Sequence, residues 1–191
     1  LKDSSGRGKR RNVKRNGGFM KNGLVLSAIF CIVATLSGCK HDAAPISLKK
    51  IPIDGMEGVL TRTGVTFDLT NSTDGNGSLR IDADRPGTVR LFEVRGLDIE
   101  NARLIYRAHI KTENLAGQAY LEMWCAFPGM GEYFSRGLHT PLTGTVDWTT
   151  QEIPFFLQKG QKPELVKLNV VVEGRGTVWI DDIEFIKAPL N

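Results

Sequence analysis

Arg103-Leu104-Ile105-Tyr106-Arg107-Ala108-His109-Ile110-Lys111-Thr112 sets Leu104, Tyr106, Ala108 and Ile110 on alternate positions, with Arg103, Arg107, His109 and Lys111 between them. A helix would scatter these residues around its surface. An extended strand sends them to two faces, one apolar and one charged. Residues 118–127 repeat the pattern, with Leu121, Met123 and Cys125 on one face and Tyr120, Glu122 and Trp124 on the other. Working outward, further period-two segments fall at 65–69, 78–83, 88–94, 145–156, 165–173 and 177–186. Turn clusters such as Asn71-Ser72-Thr73-Asp74-Gly75-Asn76-Gly77 and Asp84-Arg85-Pro86-Gly87 separate them. About eight short strands, with no helical periodicity after residue 50, predict one all-β sandwich domain over residues 51–188. That length is enough to bury a single core.

Upstream the composition changes. Eight of the 25 Lys and Arg residues and one of the 21 acids precede Cys39, so the chain from Cys39 onward holds 17 basic and 20 acidic residues. Its basic balance therefore belongs to the leader, and the domain lacks the positive surplus expected of a nucleic-acid binder. In Met20-Lys21-Asn22-Gly23 a basic start precedes an apolar run from Leu24 to Leu36, closed by Leu36-Ser37-Gly38-Cys39. The run is shorter than the roughly 20 residues that span a bilayer and matches a signal-peptide core. Leu36-Ser37-Gly38-Cys39 resembles the lipobox of bacterial lipoproteins. The resemblance implies cleavage before Cys39, acylation of its thiol, and a stable anchor through two or three acyl chains. Lys40, where such proteins carry Asp for inner-membrane retention, implies the outer membrane of the cell envelope. Residues 1–19 read as an upstream extension, 20–38 as a signal-peptide helix, and 39–50 as a polar tether.

Cys31 and Cys39 belong to the leader, which leaves Cys125 alone in the domain. No intradomain disulfide can form, and no Cys/His spacing suggests zinc. Cys125 reads as a small hydrophobe.

Gly77-Ser78-Leu79-Arg80-Ile81, the strand at 104–112, Thr145-Val146-Asp147-Trp148 before Pro154, and Gly176-Thr177-Val178-Trp179-Ile180-Asp181-Asp182-Ile183-Glu184-Phe185 occur in an order that resembles the carbohydrate-binding-module jelly roll, also called the galactose-binding-like fold. The resemblance spans nearly all of residues 54–186. It implies a jelly-roll sandwich, but the same scaffold serves glycan binding, protein contacts and enzyme accessory roles. It also implies a structural calcium between the start of the domain and an acid on the last strand, for which Asp182 with Asp54 or Glu57 supplies carboxylates.

Tyr120, Glu122 and Trp124 are the leading ligand-binding candidates, with Arg103, Arg107 and His109 if the two strands pair and merge their faces, and Lys167 and Asn169 from a later strand. Sugar rings pack on aromatic faces while Arg, Glu, Asn and His bond their hydroxyls. The alternative is that Tyr120 and Trp124 pack under a loop at 128–141 while the charges form cross-strand pairs. Residues 127–137 read as a long loop, and Trp148 and Trp179 as structural. Glu122 with Glu132, or Asp181 with Asp182, are the only paired acids to consider for glycoside hydrolysis. No nucleophile elbow, phosphate loop or metal-His motif is present. The expected function is a non-catalytic, glycan-binding envelope lipoprotein. A structural or assembly lipoprotein that binds another envelope protein is the alternative, and a glycosidase-like enzyme comes third.

Overall fold

A computed structural model describes residues 43–190. The leader and the first four tether residues, 39–42, Cys39 among them, lie outside the described residues. Eight strands follow in order: β1 (Ile46–Ile51), β2 (Val65–Asp68), β3 (Ser78–Ala83), β4 (Gly87–Arg95), β5 (Ala102–Phe127), β6 (Gly131–Arg136), β7 (Leu142–Leu157) and β8 (Leu165–Ala188). Every pairing is antiparallel. Among the described residues there is no helix.

The organising feature is a ribbon of β5 and β8, paired from Arg103 opposite Ala188 to Ala126 opposite Leu165. It bends near its middle, where the register shifts between Glu113 and Ala116. Asn114 (φ 51°), Gly117 (φ 128°) and Gly176 (φ 146°) adopt left-handed backbone there. A Cβ on Gly117 would stand 2.0 Å from the Glu173 carbonyl oxygen, and one on Gly174 would stand 2.0 Å from that of Ala116. The backbones touch at the fold line, so only glycine fits.

The bend turns one ribbon into two layers. In the first, the early half of β5 and the late half of β8 pair with β7, β3 and β1, and β2 joins beside β3. In the second, the late half of β5 and the early half of β8 pair with β6 and β4. Leu104, Tyr106, Ile110, Val178, Ile180 and Phe185 from one layer meet Leu121, Met123, Cys125, Val166, Leu168 and Val170 from the other in a single apolar cluster. Each large side chain buried this way contributes about 1.5–3 kcal/mol. This is the all-β sandwich that the alternating pattern predicts.

Three features depart from the sequence reading. The segments at 103–112 and 118–127 are successive halves of one strand, as are 165–173 and 177–186. The expected loop at 127–137 is a hairpin: Met130 N donates to Phe127 O (3.1 Å) across Pro128-Gly129, Gly129 has φ 71°, and β6 follows. Pro then Gly at the centre of this turn suits type II geometry. Residues 46–50, expected in the tether, join Ile51 to form β1 along β8, with Leu48 and Ile51 packed on the core.

Candidate functional site

The outward face of the second layer is built by position. Period two on β5 places Tyr120, Glu122 and Trp124 together. The ladder sets Glu122 opposite Asn169 of β8 and Arg136 of β6, and sets Trp124 opposite Lys167 and Phe134. Five of the eight binding candidates, Tyr120, Glu122, Trp124, Lys167 and Asn169, are thus brought to one face. Arg103, Arg107 and His109 are not. They lie on the early half of β5, whose outward face belongs to the first layer. Two neighbouring strands would have merged these faces, but one strand bent at Gly117 separates them.

Polar contacts within the face are well satisfied. Glu122 is 3% exposed, accepting from Arg136 Nε (2.6 Å) and Asn169 Nδ2 (2.9 Å). Burial pushes its carboxyl up, but the Asn169 amide, the Trp124 indole and the Arg136 guanidinium outweigh it and hold the carboxyl below its ordinary value. Lys167 Nζ donates to Glu132 Oε1 at 2.6 Å. The Tyr120 hydroxyl donates to Glu173 Oε1 (2.7 Å), and burial, with that carboxylate, pushes it up to about 12. At 2% exposure Tyr120 offers no ring face to a ligand.

The open aromatic surface comes instead from Trp124 and Phe134. Their ring centroids stand 4.9 Å apart at 45°, and Phe134 is 52% exposed. The Arg136 guanidinium lies over the Phe134 ring, 4.5 Å from its centroid. The face is therefore an aromatic step beside a row of charged and amide groups. Phe134 and Arg136 are not among the sequence candidates, because residues 127–137 read as loop. The alternation Glu132, Phe134, Arg136 after a Pro-Gly turn was the signal available.

The first layer carries a second polar patch. Arg107 bridges Glu152 and Glu184, His109 Nδ1 lies 3.3 Å from Asp182 Oδ2, and Arg103 Nε donates to the Pro189 carbonyl (2.7 Å). Arg107, His109, Glu152, Asp182 and Glu184 line a trough of about 560 Å³ with Lys50 and Thr150. Asp181 is 1% exposed and accepts from Thr73 N and Oγ1, while Asp182, at φ 47°, accepts from the same hydroxyl. Of the acids considered as catalytic pairs, Glu122, Glu132, Asp181 and Asp182 are all engaged in such internal contacts.

Among the described residues no group of three or more His, Cys, Asp or Glu side chains could hold a metal ion. A calcium held by Asp182 with Asp54 or Glu57 would need backbone carbonyls to complete its oxygen shell. Cys125 is fully buried, and burial pushes its thiol up to about 12, the behaviour of an inert core residue. Trp179 is 2% exposed yet faces outward from the first layer, beneath Arg80 and Lys111 and bonded through Nε1 to Asp68 (2.8 Å). Trp148 is half-buried on β7.

The fold is that of the carbohydrate-binding modules. The CBM22-1 xylan-binding domain of Paenibacillus barcinonensis Xyn10C superposes with a TM-score of 0.56 at 11% identity, covering 76% of this chain and 97% of that one. A family 16 carbohydrate-binding module gives 0.51 at 12%, covering 70% and 93%. The CBM22-1–GH10 modules of the Clostridium thermocellum endo-1,4-β-D-xylanase 10B, complexed with xylohexaose, give 0.53 at 10%, covering 74% of this chain and 28% of that one. No protein-family model matches the sequence, and a search of curated proteins finds no match. At these identities the likeness is one of fold.

Proposed function

We propose that the domain is a non-catalytic glycan-binding module, held on the cell envelope by acyl chains on Cys39, and that it takes polysaccharide chains on the outward face of the second layer. The observation that carries this reading is the half-exposed Phe134 beside Trp124, next to the Arg136–Glu122–Asn169 row. Exposed ring faces take the C–H faces of a sugar, and the partly exposed Arg136 guanidinium, Lys167 ammonium and Glu132 carboxylate bond its hydroxyls, with buried Glu122 and Asn169 holding Arg136 from beneath. Internal pairing holds those polar groups in place before ligand arrives, which reduces the ordering cost of binding. Two of the solved structures of like fold are described as binding xylan or xylohexaose, which makes β-1,4-linked pentose chains the first ligands to try. On this reading, the engagement of every paired acid leaves no free proton donor and acceptor facing across a sugar bond.

The test is calorimetric titration of residues 40–191 with xylo-oligosaccharides, after a glycan-array screen to widen the choice. Trp124→Ala and Phe134→Ala are each expected to weaken binding about tenfold or more. Unchanged affinity in both variants, or no glycan bound in the array, overturns the reading. Metabolic labelling with palmitate, compared between the wild type and Cys39→Ser, tests the anchor.

A further inference from the structure

The sheet edges are not equally protected. An unpaired edge presents free N–H and C=O groups to any passing strand, and proteins blunt such edges with proline, lysine, bulges or covering segments. Leu60 N and Thr61 N cover β4 by donating to Leu91 O and Arg90 O (3.0 and 2.9 Å). β7 contains Pro154 and repeated register shifts. β1 combines a register shift with Lys49 and Lys50, and β2 is four residues long. On β6, Gly131-Glu132-Tyr133-Phe134-Ser135-Arg136, there is no proline, lysine or register shift. It is exposed at all but one residue, with Tyr133 at 55% and Phe134 at 52%.

The direction of its free groups follows from the ladder. Gly137 N donates to Leu121 O at 2.9 Å. Alternation in an antiparallel pair then turns the odd-numbered residues of β6 toward β5 and leaves the N–H and C=O groups of Glu132, Phe134 and Arg136 on the open side.

We propose that β6 pairs with β6 of a second copy of this chain, antiparallel and centred on Phe134. In that register Phe134 meets its own equivalent, and Glu132 stands opposite Arg136 in both directions. The strand is thus complementary in charge to itself. Lys167 already holds Glu132, and Arg136 already holds Glu122, both at 2.6 Å. Pairing the edges joins these into one row of alternating sign across the interface. The contact is two-fold and closes on itself, so it yields a dimer and not a fibre. The second layer grows from four strands to eight. The glycan site proposed above would then become one aromatic line, with about 14 Å, three strand spacings, between the two Trp124 positions.

The test uses residues 40–191, whose described part, residues 43–190, carries a single core of its own. Sedimentation equilibrium is expected to show a concentration-dependent dimer. Phe134→Cys is expected to cross-link without reductant, because directly bonded antiparallel partners stand about 5.5 Å apart at Cα, within disulfide reach. Cys125 is buried and does not compete. Glu132→Arg puts like charges opposite one another and should weaken association at least tenfold. Phe134→Pro, which removes a free-side N–H without touching the β5 ladder, should abolish it. Dimers that survive both substitutions overturn this interface. A monomer in every arm means that the edge takes a strand from a different protein or from none, and overturns the proposal too. A wild-type monomer that still binds xylo-oligosaccharide sinks only the pairing, and a dimer that binds no glycan sinks only the function.

Discussion

Tyr106 sits in the early half of β5, opposite Phe185 and Ile153, fully buried and with its hydroxyl paired to no protein group. Burial alone drives its ionisation far above the ordinary tyrosine value. A buried hydroxyl without a partner costs about 1–3 kcal/mol. Tyr106→Phe removes that hydroxyl and keeps the ring, so the gap left behind is small and its cost is a few tenths of a kcal/mol. The net expectation is a stabilisation of about 1–2 kcal/mol. For a domain of this size that is a rise in Tm of about 3–8 °C. Differential scanning calorimetry and urea unfolding of residues 40–191 measure both quantities, and the slope against urea should not change. A Tyr106→Phe protein less stable than wild type by 1 kcal/mol or more would refute the reasoning. It would mean that the hydroxyl is bonded in the folded protein and contributes to its stability.

Gly117→Ala and Gly174→Ala force a Cβ against backbone at the fold line, and each should cost at least about 1–3 kcal/mol by overpacking, read as a lower urea midpoint. Glu122→Gln should cost about 1–3 kcal/mol at neutral pH by weakening a buried, charge-assisted pair. Because the folded Glu122 carboxyl is held below its ordinary value, its contribution is present above the unfolded carboxylate pKa and is lost as pH falls through the folded one. The gap in stability between wild type and Glu122→Gln should therefore close in acid, and a gap that widens there would contradict the assigned direction. Cys125 should resist a thiol reagent until denaturant is added.

Legibility in the sequence followed burial contrast. Residues 103–112 and 118–127 declare themselves because one face of each is sealed in the core and the other is wet, so hydrophobicity alternates with the backbone. β6 was invisible for the opposite reason. It is exposed on both faces, and alternation carries no hydrophobic signal where neither face is buried. In β1 the register shift between Ser47 and Lys49 breaks the two-residue period, so its apolar residues look like scattered tether positions. The bend was the deeper failure. Asn114-Leu115-Ala116-Gly117 has the composition of a hairpin turn, and periodicity says nothing about whether the chain reverses or merely folds over. That choice decided the site, because reversal would have merged Arg107 and His109 with Glu122 and Trp124, whereas folding over divides them. Tyr120 shares the outer face by periodicity, and alternation could not choose between an open ring and the covered one found at 2% exposure.

The position of β8 bears on when the domain can form at all. The eighth strand, made after the other seven, is the one that β1, β3, β4 and β5 all pair with. Until residues 165–188 have emerged, the earlier strands lack their central partner, and the long ribbon that closes the core does not exist. The sandwich therefore closes its core only once residues 165–188 are available to pair, so strands made earlier wait on the latest one.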